Sequence, residues 1–136
     1  MQLKSRRTAS IVYIASVQGH WYQNNVLGFA TSNGAIHAFT RALAAACAKN
    51  NIRVKSISPG SIRTPLLEFS SKKELTEPGS NVEETLSSFG ASHPIKRIGT
   101  VEEIGALVAY LVGRDAGFCI GGDFLIDGGL KAKLGV

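Results

Sequence analysis

Residues 10–16, SIVYIAS, form a near-continuous run of β-branched and apolar side chains. Neither face of such a run alternates to polar, which suits a strand buried on both sides, as in a parallel sheet. IRVKSIS, residues 52–58, reads as a second strand, closed by Pro59 and Gly60. A short third strand, 124–126, lies between glycine turns in GGDFLIDGG. Between the first two strands, GFATSNGAIHAFTRALAAACAKNN supplies roughly twenty helix-compatible residues. Its stop signal is Lys49 with Asn50 and Asn51, a basic last turn and a residue type tolerant of left-handed backbone. Phe29, Ile36, Leu43 and Cys47 share one stripe, while Ala38, Phe39, Ala42, Ala45 and Ala46 make other faces apolar. A helix of that kind expects packing partners on more than one side. Before the third strand, TVEEIGALVAYLVG places Glu103 three residues after Thr100, a capping box. Residues 65–92 are rich in Ser, Lys and Glu with scattered apolar positions, and read as a long loop of the kind that forms lids or disordered segments. The order strand, helix, strand, helix, strand calls for right-handed crossovers and a parallel sheet.

At 136 residues the chain holds one domain at most. An apolar content of 44% is that of a globular protein, and 15 glycines against 4 prolines argue against a disordered one. The net charge of +5 is scattered beyond the Lys4, Arg6, Arg7 cluster and the Lys72–Lys73 pair. With no helix-turn-helix, zinc finger or aromatic-basic platform beside it, that charge reads as a solvated surface rather than a nucleic-acid site. Cys47 and Cys119 stand outside any CxxC spacing, so a reduced, cytoplasmic chain is expected. His20, His37 and His93 share no metal-ligand spacing, and no metal site is expected. MQLKSRR leads into too short an apolar run for a secretory signal, and no stretch approaches the length of a membrane span.

SIVYIASVQG, SISPGSIRTPL, HPIKRIGTVEEIGALVAYLV and DAGFCIGGDFLIDGG occur in this order and spacing. Together they resemble the C-terminal half of a short-chain dehydrogenase/reductase, over essentially the whole chain. The resemblance implies an α/β fold, the C-terminal portion of a three-layer Rossmann-like parallel sheet with about three strands and two long helices. It implies a single partial domain over 1–136, with 65–92 as the flexible substrate loop. The upstream strands would precede Met1, and residues 1–7 would keep the end of a final helix.

Carried over position by position, Ser16 takes the place of the substrate-orienting serine. The family's tyrosine falls on Phe29 and its lysine on Asn33. Pro59, Gly60, Ile62 and Thr64 match the turn that contacts the nicotinamide. The cofactor implied is NAD or NADP, not bound tightly by this chain alone. A glycine-rich turn opening a helix would normally seat the pyrophosphate, and the nearest string here, 117–123, ends in Asp123 and runs into a strand.

In the resembled chemistry a tyrosine hydroxyl exchanges a proton with the substrate oxygen while hydride moves. A free tyrosine titrates near ~10, and a lysine one helical turn away lowers that value electrostatically. Phe29 has no such proton and Asn33 no charge. Tyr22 and Tyr13 each have a valine four places on; Tyr110 has Arg114 there, on a helix where the resemblance places no chemistry. Trp21 and Tyr22 read as loop packing, and His93, before Pro94, as a packing residue. Ser16 with His20 lacks an acid partner and nucleophile-elbow glycines, so a hydrolase does not follow. The leading expectation is an NAD(P)-dependent oxidoreductase relative that is inactive as this chain. The alternative is an interaction module that pairs with itself or with a full-length relative, and a third possibility is one half of a split enzyme. No nucleic-acid or membrane partner is expected.

Overall fold

The computed structural model describes residues 8–74 and 81–132; the expected helix remnant at 1–7 lies outside them. Strand β1 (Ala9–Ile14) is followed by helix α1 (Leu27–Cys47) and strand β2 (Ile52–Pro59). Helices α2 (Pro65–Glu74), α3 (Val82–Ser92) and α4 (Val101–Val112) then lead to strand β3 (Asp123–Ile126). The three strands form a parallel sheet in the order β1-β2-β3, with Ile14 opposite Ile57 and Ser56 opposite Asp123. This is the parallel sheet that the element order calls for and the Rossmann-like partial sheet that the resemblance implies.

Strand β2 carries the fold because it is central, and its residues 54–59 are all buried. Alternation sends Val54, Ser56 and Ser58 to the α1 face and Arg53, Lys55 and Ile57 to the α4 face. On the α4 side, Ile57, Leu111 and Ala116 form a core joined by Val12, Leu107, Phe124 and Ile126. The charged pair beside them is absorbed by helix carbonyls. Arg53 donates from Nη1 to Leu111 O at 3.0 Å and Ala116 O at 2.6 Å, and from Nη2 to Val112 O and Gly113 O. Lys55 Nζ donates to Ser10 Oγ at 2.7 Å and Leu111 O at 2.6 Å. Two cations at a helix C-terminus also complement its dipole.

Thr100 caps α4 as expected, its hydroxyl accepting from Glu103 N–H while the Glu103 carboxylate accepts from Thr100 N–H. Asn51 has a φ of 58°, the left-handed geometry anticipated at the end of α1. Two expectations are corrected. Where composition predicts a continuous loop over 65–92, α2 and α3 form and pack on each other. Thr64 Oγ accepts from Leu67 N–H ahead of Pro65, a residue suited to a helix's first position, and the Asn81 side chain accepts from Glu84 N–H. The second correction concerns α1. Its buried stripe is Ala30, Asn33, His37, Thr40 and Ala44, whereas Phe29 and Phe39 are exposed.

Candidate functional site

Ser16 follows β1 and Pro59 ends β2, so these residues sit at the carboxyl edge of adjacent parallel strands. Open α/β sheets bind their ligands at that edge. Ser16 caps a short 3-10 turn, Val17–Gly19, and its Oγ accepts from Gln18 N–H at 3.2 Å. Phe29 lies in the first turn of α1 and is 48% exposed. Asn33, one turn on, is buried at 6% exposure and turned back along its own helix, its Nδ2 donating to Phe29 O at 2.8 Å. Its amide is engaged by backbone rather than directed at a neighbour's hydroxyl.

The turn after β2 is held from behind by His93, which is 2% exposed. His93 Nε2 accepts from Ser61 N–H at 3.2 Å, which leaves Nδ1 to donate to Phe89 O at 2.8 Å. A Cβ on Gly60 would stand 2.8 Å from His93 Nε2 and 3.0 Å from Asp127 Cα, so only glycine lets the turn close. His93 is thus the packing residue that its place before Pro94 suggests. Ile62 pairs with Gly99 through an isolated bridge, and Thr64 is committed to capping α2. Ser61, Ile62, His93 and Asp127 line a recess of about 180 Å³, below the ~300–1,000 Å³ of ordinary small-molecule sites.

A second group of side chains gathers on the α1 face of the sheet, and sequence reasoning misses it. Because Ser56 pairs with Asp123 across β2 and β3, their side chains share a face, and Ser56 Oγ donates to Asp123 Oδ1 at 2.6 Å. His20 Nε2 reaches Asp123 Oδ2 at 2.8 Å. His37 comes from α1 with Nε2 2.8 Å from Ser58 Oγ and 3.7 Å from Asp123 Oδ1. The two imidazoles stack at 3.9 Å between centroids and 18° between planes. Gly19 permits this: a Cβ there would lie 2.5 Å from His37 Cε1 and 2.7 Å from the Asn33 carbonyl carbon. Without one, the 17–19 turn lies flat on α1 and carries His20 over His37. Close by, Lys131 Nζ sits 3.4 Å from the centre of the Trp21 ring, a cation–π contact.

Burial holds the His37 imidazole below its usual value, with Asp123 pulling the other way. Burial pushes the Asp123 carboxyl up, but hydrogen bonds from Ser56, His20 and Ser58 together outweigh it and leave the group below the usual carboxylate range. His20 therefore does have an acidic neighbour, 103 residues away in sequence. Ser16 is not part of that arrangement, since its hydroxyl is bonded to its own turn. Tyr13 packs edge-on against Phe39 at 5.8 Å, Tyr110 lies half-exposed on α4, and Tyr22 is 77% exposed.

The family model described as enoyl-(acyl carrier protein) reductase matches residues 1–131. Acetoacetyl-CoA reductase of Cupriavidus necator is 33% identical over 128 residues, covering 94% of this chain and 48% of the relative. L-fucose dehydrogenase of Mus musculus is 36% identical over 132 residues, covering 97% and 45%. Ligand-free aldohexose dehydrogenase of Thermoplasma acidophilum matches with a TM-score of 0.90 at 32% identity, over 96% of this chain and 51% of that one. L-sorbose reductase of Gluconobacter frateurii, complexed with NADPH and L-sorbose, matches with a TM-score of 0.88 at 28% identity, over 95% and 49%. The chain spans about half the length of these relatives.

Proposed function

The chain belongs to the short-chain dehydrogenase/reductase family, and from that premise we propose that it is a C-terminal half of such an oxidoreductase whose two proton-handling positions no longer work. In this reading Ser16 keeps the substrate-orienting place, Phe29 and Asn33 stand where the tyrosine and lysine act, and Pro59, Gly60, Ile62 and Thr64 form the nicotinamide-side turn. The observation that carries it is the Asn33 amide, buried and bonded to the Phe29 carbonyl. Neither residue there offers an acidic hydroxyl or a positive charge. Loss of a positioned general acid costs about 10²–10⁴ in rate.

The residues present do not fit a whole dinucleotide. Among the described residues no glycine-rich turn opens a helix, which is the arrangement that presents N–H groups to a pyrophosphate. Gly121, with φ of 71°, turns the chain into β3 instead. Titration of the purified chain with NADH and NADPH, followed by cofactor fluorescence, is expected to show no saturation in the micromolar range. Tight saturable binding of either would overturn this reading.

A second reading, an interaction module, is favoured by the outer edge of β1. Strand β1 pairs only with β2 among the described residues, which leaves a row of backbone groups open to strand addition. Leu27 and Phe39 are exposed on α1, the next helix in the chain. Light scattering across micromolar concentrations is expected to show self-association, and a clean monomer throughout would remove the module reading.

A further inference from the structure

We propose that His20, His37 and Asp123 form a binding site for one divalent transition cation such as zinc, held through the two Nε2 atoms and a carboxylate oxygen. Such a site is independent of the roles given to Phe29 and Asn33. The histidines fail every sequence spacing for a metal site because the ligand atoms come from three separate elements: the turn after β1, the third turn of α1 and the first residue of β3. In space the three atoms lie within 4.8 Å of one another.

Zinc is bound by imidazole nitrogen and carboxylate oxygen at about 2.0–2.2 Å, which sets tetrahedral ligand atoms about 3.3–3.5 Å apart. His37 Nε2 and Asp123 Oδ1, at 3.7 Å, are already close to that separation. His20 Nε2 and Asp123 Oδ2, at 2.8 Å, hold a hydrogen bond that a cation would replace. The two rings now stack with 18° between planes, so their in-plane lone pairs run side by side, and the ring that must swing out of the stack is His20, whose side chain is 28% exposed and stands at the end of a single 3-10 turn. The other two ligands are fixed. His37 is 3% exposed and wedged against Gly19, and Asp123 is held by Ser56.

The carboxylate has the outer hydrogen bonds that a ligating carboxylate takes. Ser56 and Ser58 both donate to the carboxylate, and Ser58 Oγ also stands 2.8 Å from His37 Nε2. Two neutral imidazoles and one carboxylate make a three-ligand set with a fourth position open to water, and imidazole suits zinc, nickel and copper. Two protein cations act on the cluster: Arg41 of α1 on His37, and Lys131 on Asp123. The Lys131 ammonium is engaged by the Trp21 ring.

The test uses the chain with Cys47→Ser and Cys119→Ser, so that thiols add no background. Calorimetric titration with ZnCl₂ should show one saturable site, and Co²⁺ should give the visible d–d absorption of a low-coordinate site. His20→Ala removes the most exposed ligand and should fold normally by circular dichroism. It is expected to weaken zinc by at least ~10-fold, with Ser58→Ala costing ~10-fold through the supporting shell. Asp123→Asn should abolish the cobalt spectrum. Absence of saturable binding by zinc, cobalt and nickel would overturn the proposal. So would binding that His20→Ala leaves unchanged, because the ion would then be adventitious.

Discussion

Joined to the N-terminal half of the Thermoplasma relative, the chain carrying Phe29→Tyr and Asn33→Lys is expected to turn over small alcohols or ketones about 10²–10⁴ times faster than the same fusion with the native residues. Both changes are needed. Phe29→Tyr alone adds a phenol that titrates near ~10, a poor proton donor and acceptor at neutral pH. Asn33→Lys supplies the positive charge one turn away that lowers that value. The 48% exposure of Phe29 leaves room for an added hydroxyl. Asn33 is buried, so a lysine in its place must give up the bond to Phe29 O and extend its ammonium toward position 29. Each single variant should therefore recover much less than the pair. Steady-state rates of ketone reduction with NADH and NADPH, and of alcohol oxidation with NAD+ and NADP+, decide it: equal rates for the native and doubly substituted fusions would mean that these positions are not the obstacle.

The second large effect is a rise in stability with alkaline pH that depends on Lys55. Its ammonium is fully buried, and burial, reinforced by the Arg53 charge beside it, brings its pKa down to about 8 from 10.5. The unfolded chain holds that proton more tightly than the folded one. Between about pH 8 and 10.5 the unfolded state thus carries more protons, and stability increases as pH rises through that window. Below pH 8 the penalty for the buried charge is present in full and constant. A displacement of this size corresponds to a gain on the order of 3 kcal/mol across the window. Lys55→Met should abolish the gain and be no less stable at pH 7, because Leu111 O still accepts from Arg53 and from Ser10. Urea denaturation of both proteins at several pH values measures it, and parallel curves for the two would sink the idea.

Much of the sheet is legible in the sequence because its signals are local. SIVYIAS is almost continuously apolar and IRVKSIS sets Ile52, Val54 and Ile57 among polar residues before the Pro59-Gly60 stop, and Thr100 with Glu103 specifies a helix start within four residues. The helices in 65–92 are hidden by composition, although Thr64-Pro65 and Asn81 with Glu84 are start signals of the same local kind. Hydrophobic periodicity fails on α1 for a different reason. Its buried stripe includes Asn33, His37 and Thr40, and counting apolar residues cannot find a face made of polar ones. On that face β2 presents Ser58 to His37 Nε2 and Asn33 bonds back to its own helix, whereas the buried Thr40 hydroxyl has no hydrogen-bond partner among the described residues. The cluster at Asp123 is beyond reach of such reading. Only the register of β2 against β3 brings a carboxylate to His20, and register is a property of the assembled sheet.

The guanidinium of Arg53 touches four carbonyls that belong to the end of α4 and the segment just after it. A strand side chain thereby does the work that a capping residue would do inside the helix itself. Each partner loses several hydrogen bonds when the other is loose. Helix end and central strand are thereby coupled, and segments with fewer such ties are expected to open at lower free energy.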